Sequence, residues 1–427
     1  MNRVSPTDKT AVLVARERGQ ERRADLMALR LAAQKLPHPD EGGAIGSVVL
    51  PRTITSLREC GRKVLGPTAL VTYDASTRKA GTRGIATCGR ALVCATCGAK
   101  VREERRRHLL ELVEAAQADG VGVYFVTLTL RHYRGMSLET SLAVIRSAWQ
   151  KLASGKAWQS RKEKYGLGMV GVVEITDNAD GNGWHPHLHL CIFQSCSSVQ
   201  RENGKWVKAG SDRPPKWSAC EESEFVVWLR QRWLAIIVKA GMPAALPQHA
   251  FDWREAYGPE DARLLSAYLA KDQGAAVAAA SMRAGKLSAE MLRGDLKTKR
   301  RSEHATRPAF ALLADAARGD AVAWRRWWEY EAAVRGLRFW RVSHGLATSL
   351  RVVEDTRTDE EIVADQNAHG VAVIEVHRRD WWNLTTKGDV PKLLTLIETS
   401  GVSIALAWLR SFGARAERVD DGGYLPP

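Results

Sequence analysis

Two periods of apolar and polar residues alternate between Val121 and Gly241. VGVYFVTLTL (Val121–Leu130) is dense in β-branched and aromatic residues and predicts a strand. LETSLAVIRSAWQKLAS then places its apolar residues at helical spacing. GMVGVVEIT (Gly168–Thr176) predicts a second strand, and the turn-forming DNADGNG leads directly into a third, WHPHLHLCIF. Two adjacent strands joined by an Asn/Asp/Gly turn predict an antiparallel hairpin. The helical patterns SEFVVWLRQRWLAIIVKAG and DARLLSAYLAKDQGAA follow. The expected class is α+β, a central antiparallel sheet with flanking helices.

Outside this block the pattern is mostly helical. Met1 to about Arg58 reads as a charged helix and a loop, and VREERRRHLLELVEAAQ as a basic helix from Val101. The chain turns very basic in LRGDLKTKRRSEHATR and then becomes a helical C-terminal region. Within it, Trp324, Trp327 and Trp328 have the spacing of a core stripe rather than of a base-stacking platform. Composition divides the chain into a basic arm (1–58), a cysteine-rich segment (59–107), the α+β domain (108–300) and the C-terminal region (301–427).

The third strand carries His185, His187 and His189 at alternate positions. With 11 His in 427 residues, chance would give such a triplet roughly 0.007 times. The three imidazoles share one face, with spacings of about 7 Å, while Leu188, Leu190 and Ile192 face a core. Neutral imidazoles so placed can chelate a divalent cation once a carboxylate joins them. Glu174, set in apolar VVEIT on the preceding strand, is the natural carboxylate, because buried there without a partner it would be costly. Two His and one Glu leave positions open for substrate oxygens or water.

Seven cysteines change the picture upstream. Cys94 and Cys97 form one Cys-x-x-Cys half of a tetrahedral zinc site, which Cys60 and Cys88 would close. Cys191 lies on the histidine face as a small apolar residue. The net charge of +15 makes nucleic acid the leading partner. Lys297, Lys299, Arg300 and Arg301, with Arg307, are the candidate DNA contacts. No apolar stretch has signal-peptide or membrane-spanning character, so a cytoplasmic protein is expected.

In their order, FVTLTL, WHPHLHL and AYLAKD resemble the three motifs of rolling-circle replication initiators, the HUH endonucleases. The resemblance is closest to Rep proteins of actinobacterial plasmids, and runs from about Cys60 to about Glu361. It implies an HUH-type catalytic domain in which His187 and His189, flanking Leu188, bind Mg²⁺ or Mn²⁺, with His185 a neighbour. It implies that Tyr268 attacks a DNA phosphate, leaving a 5′-phosphotyrosyl bond and a 3′-OH primer, and that the strand is later rejoined. Lys271, three residues on, would assist, and Tyr257 is the alternative nucleophile. A similar cysteine-rich element precedes the first motif in these proteins, which favours structural Zn²⁺ on Cys60, Cys88, Cys94 and Cys97. Origin DNA and a host helicase are the implied partners. Some relatives carry a Glu where this chain has Leu264, so Asp261 or Asp272 would have to substitute in termination. The rival functions are an HUH relaxase or transposase, and a non-catalytic zinc-dependent DNA-binding regulator. Relaxases usually place their tyrosine before the histidine motif, which argues against the first.

Overall fold

The computed structural model describes residues 6–38, 57–119, 121–165, 168–178, 181–195, 199–202, 205–208, 224–243, 247–257 and 307–419. Helix α1 (Pro6–Lys35) precedes a hairpin of β1 (Thr68–Asp74) and β2 (Lys79–Arg83). Helix α2 (Ala95–Ala118) then leads into β3 (Val121–Thr129), α3 (Leu138–Leu152) and α4 (Lys156–Tyr165). The strands β4 (Gly168–Asn178), β5 (Gly183–Ser195), β6 (Val199–Glu202) and β7 (Lys205–Lys208) follow. Next come α5 (Glu224–Lys239), α6 (Pro247–Ala250), β8 (Phe251–Tyr257) and β9 (Arg307–Pro308). The remainder holds α7 (Ala309–Ala317), α8 (Ala321–Ala333), β10 (Trp340–Val342), α9 (Leu346–Ser349) and α10 (Asp359–Ala368). It ends with β11 (Val371–His377), α11 (Arg378–Lys387), α12 (Val390–Ser400), α13 (Val402–Ser411) and β12 (Ala416–Arg418).

The chain forms two compact units, each assembled from separated stretches. One comprises residues 1–102, 313–325 and 357–427, the other 103–312 and 326–356. Composition along the chain does not register such an assembly.

In the second unit the antiparallel strands run in the order β10-β4-β5-β3-β8, with β9 on the end of β4. The expected hairpin is β4–β5, paired from Gly168↔Phe193 to Asn178↔Gly183. β5 is central because it is apolar on one face: Leu188, Leu190 and Ile192 are buried, as are Leu128 and Val126 beside them. Trp327 is also buried, 6.1 Å from Phe310 and 5.6 Å from Tyr330 between ring centroids, so it is core as its spacing predicts.

One buried ion cluster fixes the mouth of the hairpin. Asp177, the last buried residue of β4, meets Arg307 Nη2 at 3.2 Å and Arg326 Nε at 3.4 Å. Burial raises the Asp177 carboxyl, and Arg326 and Arg307 oppose that rise. Arg307 is therefore a structural cation tied to β4 rather than the exposed DNA contact its basic neighbourhood suggests.

In the first unit the sheet order is β12-β11-β1-β2. The C-terminal region is thus not purely helical: β11 pairs antiparallel with β1, from Thr68↔His377 to Tyr73↔Val371. Val71, Val373, Ile374 and Val376 of this sheet pack with Trp381, Leu393, Ile397 and Leu409 in one core. The two ends of the chain are also tied by Glu398, whose carboxylate takes Arg23 Nη1 and Nη2 at 2.7 Å each, Ala80 N at 2.9 Å and Gln20 Nε2 at 3.1 Å. Burial alone would raise this carboxyl; Arg23 and Ala80 outweigh it and hold it below its ordinary value. Breaking such a pair leaves a buried guanidinium uncompensated, so Glu398→Ala is expected to destabilise this unit by about 3–5 kcal/mol. Because the folded value is depressed, the contribution is complete above the unfolded value of 4.5 and is lost as pH falls through the folded one. Urea unfolding of wild type and variant at pH 7 and pH 3 checks both points: the gap should be wide at pH 7 and narrow at pH 3.

Among the described residues, no helix is long and apolar enough to cross a membrane.

Candidate metal centres

The four cysteines of the first unit converge. Among the described residues they are the set whose potential ligand atoms all lie within 4.8 Å of one another, and all four are buried. Cys60 Sγ stands 3.7 Å from Cys94 Sγ and 3.6 Å from Cys97 Sγ, and Cys88 Sγ is 3.8 Å from Cys97 Sγ. Zn–S bonds of about 2.3 Å in a tetrahedron require sulfur–sulfur edges of about 3.8 Å. The spacing is that of a tetrahedral zinc site. Hydrogen bonds from Cys60, Cys88 and Cys97 hold the Cys94 thiol well below its usual range, which favours the thiolate a metal needs.

Two tight turns and a helix start produce this geometry. Cys60-Gly61 and Cys88-Gly89 are each followed by Arg, and both glycines have left-handed φ, +72° and +62°. A Cβ on Gly61 would fall 2.1 Å from Arg30 Nη1, so the turn needs glycine twice over. Cys94 immediately precedes α2 and Cys97 lies in its first turn. The helix therefore starts at Ala95, not at Val101, since the Cys-x-x-Cys pair is itself part of the helix entry.

In the second unit, β5 presents its histidines between β3 and β4. The pairs Glu174↔His187, Thr129↔His187 and Thr127↔His189 place these side chains on one face. Glu174 Oε2 is 2.9 Å from His189 Nε2. Thr127 Oγ1 is 3.1 Å from His189 Nδ1, and Thr129 Oγ1 is 3.0 Å from His187 Nδ1. Each ring is thus held at Nδ1 by a hydroxyl. A hydroxyl can donate or accept, so it serves either tautomer and leaves Nε2 for a metal or a carboxylate.

The imidazoles form a row. Ring centroids lie 4.2 Å apart for His132–His185, 3.9 Å for His185–His187 and 5.7 Å for His187–His189. Burial, then the neighbouring His187 and His132, push His185 down to about 3. Burial, then His189 and His132, push His187 to about 3 as well. Both are therefore neutral at pH 7, the form that ligates metals. Phe125 stacks on His189 at 5.2 Å, closing one side of the row. The ligand atoms of Glu174, His187 and His189 do not meet the 4.8 Å closeness of the cysteines. The donor set nonetheless fits a hard divalent ion: neutral imidazoles, one carboxylate and open positions beside them.

Three partners escaped the sequence reading. Thr127 and Thr129 are signalled by their alternate spacing in an otherwise apolar strand. His132, whose Nδ1 lies 3.1 Å from Leu130 O, follows that strand without any pattern of its own. β8 also sets Asp252 opposite Thr127. Cys191 is fully buried, and burial pushes its thiol up, as suits a small apolar residue. Tyr257 ends β8. Tyr268, Lys271, Leu264, Asp261, Asp272, Lys297, Lys299, Arg300 and Arg301 lie outside the described residues, as do Cys196 and Cys220.

Comparison with known proteins agrees with the motif resemblance. Residues 83–210 match a family described as "Replication protein". The chain is 28% identical over 355 residues to "Protein rep" of Streptomyces lividans, covering 71% of this chain and 73% of that one. It is 27% identical over 188 residues to "Protein rep" of Bacillus amyloliquefaciens, covering 43% and 50%. A "Neomycin resistance protein" of Streptomyces cyanogenus is 25% identical over 134 residues, covering 26% and 31%. No solved structure matches the chain significantly. The chain is thus similar to replication initiators on both counts, and the span matched includes FVTLTL and WHPHLHL.

Proposed function

We propose that the protein is a rolling-circle replication initiator that nicks one strand of a plasmid or integrative-element origin and later rejoins it. The observation that carries this reading is the histidine strand itself. His187 and His189 are neutral, anchored at Nδ1 by Thr129 and Thr127, and share their face with Glu174. These three residues would hold Mg²⁺ or Mn²⁺, which when bound supplies positive charge for the scissile phosphate. The likeness to proteins named as replication proteins supports the same reading, and places origin DNA and a host helicase as partners in the cytoplasm.

The chemistry falls to this chain's own side chains. The Tyr268 oxygen attacks phosphorus, the bond to the 3′-oxygen breaks, and that oxygen leaves as a 3′-OH after taking a proton. The resulting 5′-phosphotyrosyl ester keeps the phosphodiester energy, so rejoining needs no ATP. An isolated phenol, with a pKa of about 10, is mostly protonated at pH 7; Lys271, one helical turn on in the expected helix, offers the cation that favours its ionisation. Lys297, Lys299, Arg300 and Arg301 would track the phosphates of the single strand. The zinc site on Cys60, Cys88, Cys94 and Cys97 is structural. A regulator without catalysis would account for the charge and the cysteines but not for the anchored histidine face.

The test uses labelled single-stranded oligonucleotides tiled across the DNA flanking the gene, with Mn²⁺, denaturing gels and mass spectrometry. A covalent DNA–peptide adduct at Tyr268 is expected. An adduct at Tyr257 moves the nucleophile, and neither cleavage nor adduct on any oligonucleotide sinks the enzyme.

A further inference from the structure

An initiator must find its origin in duplex DNA, and neither the histidine face nor the zinc site offers base-reading chemistry. The first unit contains a surface that does. Helix α11, RRDWWNLTTK, buries Trp381, Leu384 and Thr385 against the sheet core and turns an opposite stripe to solvent. That stripe carries Arg378, Arg379, Trp382, Asn383 and Lys387, all exposed, at i, i+4 spacing. It holds no carboxylate: Asp380, beside it, is occupied by Arg415, whose Nε is 2.9 Å and backbone N 3.1 Å from Oδ2.

The surroundings add positive charge instead of neutralising it. The Arg62 guanidinium lies 4.1 Å over the Trp382 ring and donates from Nη2 to Thr386 Oγ1 at 3.1 Å. Lys35 Nζ donates to Thr386 O at 3.3 Å. Burial and then the like charge of Arg30 lower the Arg62 guanidinium, a sign that cations are crowded here. Trp382 remains 45% exposed, an unusual state for the largest apolar side chain on a helix that already has a well-buried tryptophan at Trp381.

We infer that α11 is the helix that reads origin duplex DNA, entering the major groove with Arg378, Arg379 and Asn383 toward base edges. Lys35, Arg62 and Lys387 then meet phosphates on either side. The dimensions agree: ten residues span about 15 Å, and a helix of about 10–12 Å diameter fits a groove about 12 Å wide. The residue types agree as well, since Arg pairs bidentately with guanine and Asn with adenine. Asn383 and the aromatic Trp382 distinguish this face from an ordinary solvated cationic one. The inference rests on the initiator reading above, but it concerns binding, not cleavage.

The experiment uses the full-length, zinc-loaded chain and a random 30-bp duplex pool, from which bound sequences are selected. Affinity for the selected duplex and for a shuffled one is then measured over a range of salt. The variant R378A/R379A/K387A should bind the selected duplex at least tenfold more weakly. Its slope of log affinity against log salt should be shallower by about 2–3, as for two or three lost phosphate contacts. Asn383→Ala should mainly narrow the selected-to-shuffled ratio, by about tenfold. All four residues are exposed, and an unchanged melting curve confirms that the fold is intact. Wild-type affinity, slope and ratio in both variants would overturn the assignment of α11. So would a wild type that binds duplex but enriches no sequence. Failure of the wild type to cut any single strand would instead sink the nicking reading, whatever the duplex results.

Discussion

Chelating the metal from Cys60, Cys88, Cys94 and Cys97 is expected to release about one zinc per chain and to unfold the region between Cys60 and Cys97. Four thiols are buried here with edge lengths of 3.6 to 3.8 Å, and nothing but a cation makes four crowded sulfurs favourable once they ionise. Structural zinc contributes on the order of 10–16 kcal/mol in small zinc-folded peptides, against a whole-domain stability of about 5–15 kcal/mol. The loss would not stay local. Gly61 accepts a hydrogen bond from Trp381 Nε1 at 3.1 Å through its carbonyl and donates to Ala86 O at 2.7 Å, so the first cysteine turn is fastened to the sheet core. A chromogenic chelator assay for released zinc, followed by circular dichroism melting, reads both effects. A purified chain with no zinc and an unchanged melt would remove the metal. Cys94→Ser should reproduce the chelated state.

The cysteine site was legible from residue type alone, and the Cys-Gly-Arg turns at Cys60 and Cys88 explain why irregular spacing still closes a tetrahedron. The histidine face was legible because a strand's period of two is local: His185, His187 and His189 declare a common side without any knowledge of the sheet. What failed was everything set by distant partners. VAVIEVH (Val371–His377) sits among helices, and only its pairing with Thr68–Tyr73, some three hundred residues upstream, makes it a strand in a four-stranded sheet. Arg307 closes a basic run and reads as a DNA contact, yet its carboxylate partner, Asp177, lies 130 residues earlier. The start of α2 was placed late because Ala95–Lys100 holds cysteines and glycine, weak helix formers whose conformation is fixed by the sulfur cluster.

Replacing both His187 and His189 by Ala is expected to abolish nicking while duplex binding survives, because both rings belong to the face that would orient the phosphate and neither lies on α11. The threonines provide the finer probe. Thr127 and Thr129 touch only Nδ1 of His189 and His187, at 3.1 and 3.0 Å, so they act by holding the rings rather than by contacting DNA or metal. Removing an outer partner of this kind typically weakens metal binding about 10–100-fold. Thr129→Val keeps the β-branched shape and deletes the hydroxyl, so Mn²⁺ affinity, followed by electron paramagnetic resonance, should fall within that range. Thr129→Ser restores the hydroxyl and should recover most of the affinity, which a purely structural role for the side chain would not predict. In the metal-free protein, imidazole ¹⁵N shifts should show a single His187 tautomer in wild type and a mixture in Thr129→Val. Nicking retained with Mn²⁺ in the double histidine variant would refute the metal face altogether. Unchanged Mn²⁺ affinity in Thr129→Val would leave the face and remove only the anchoring role.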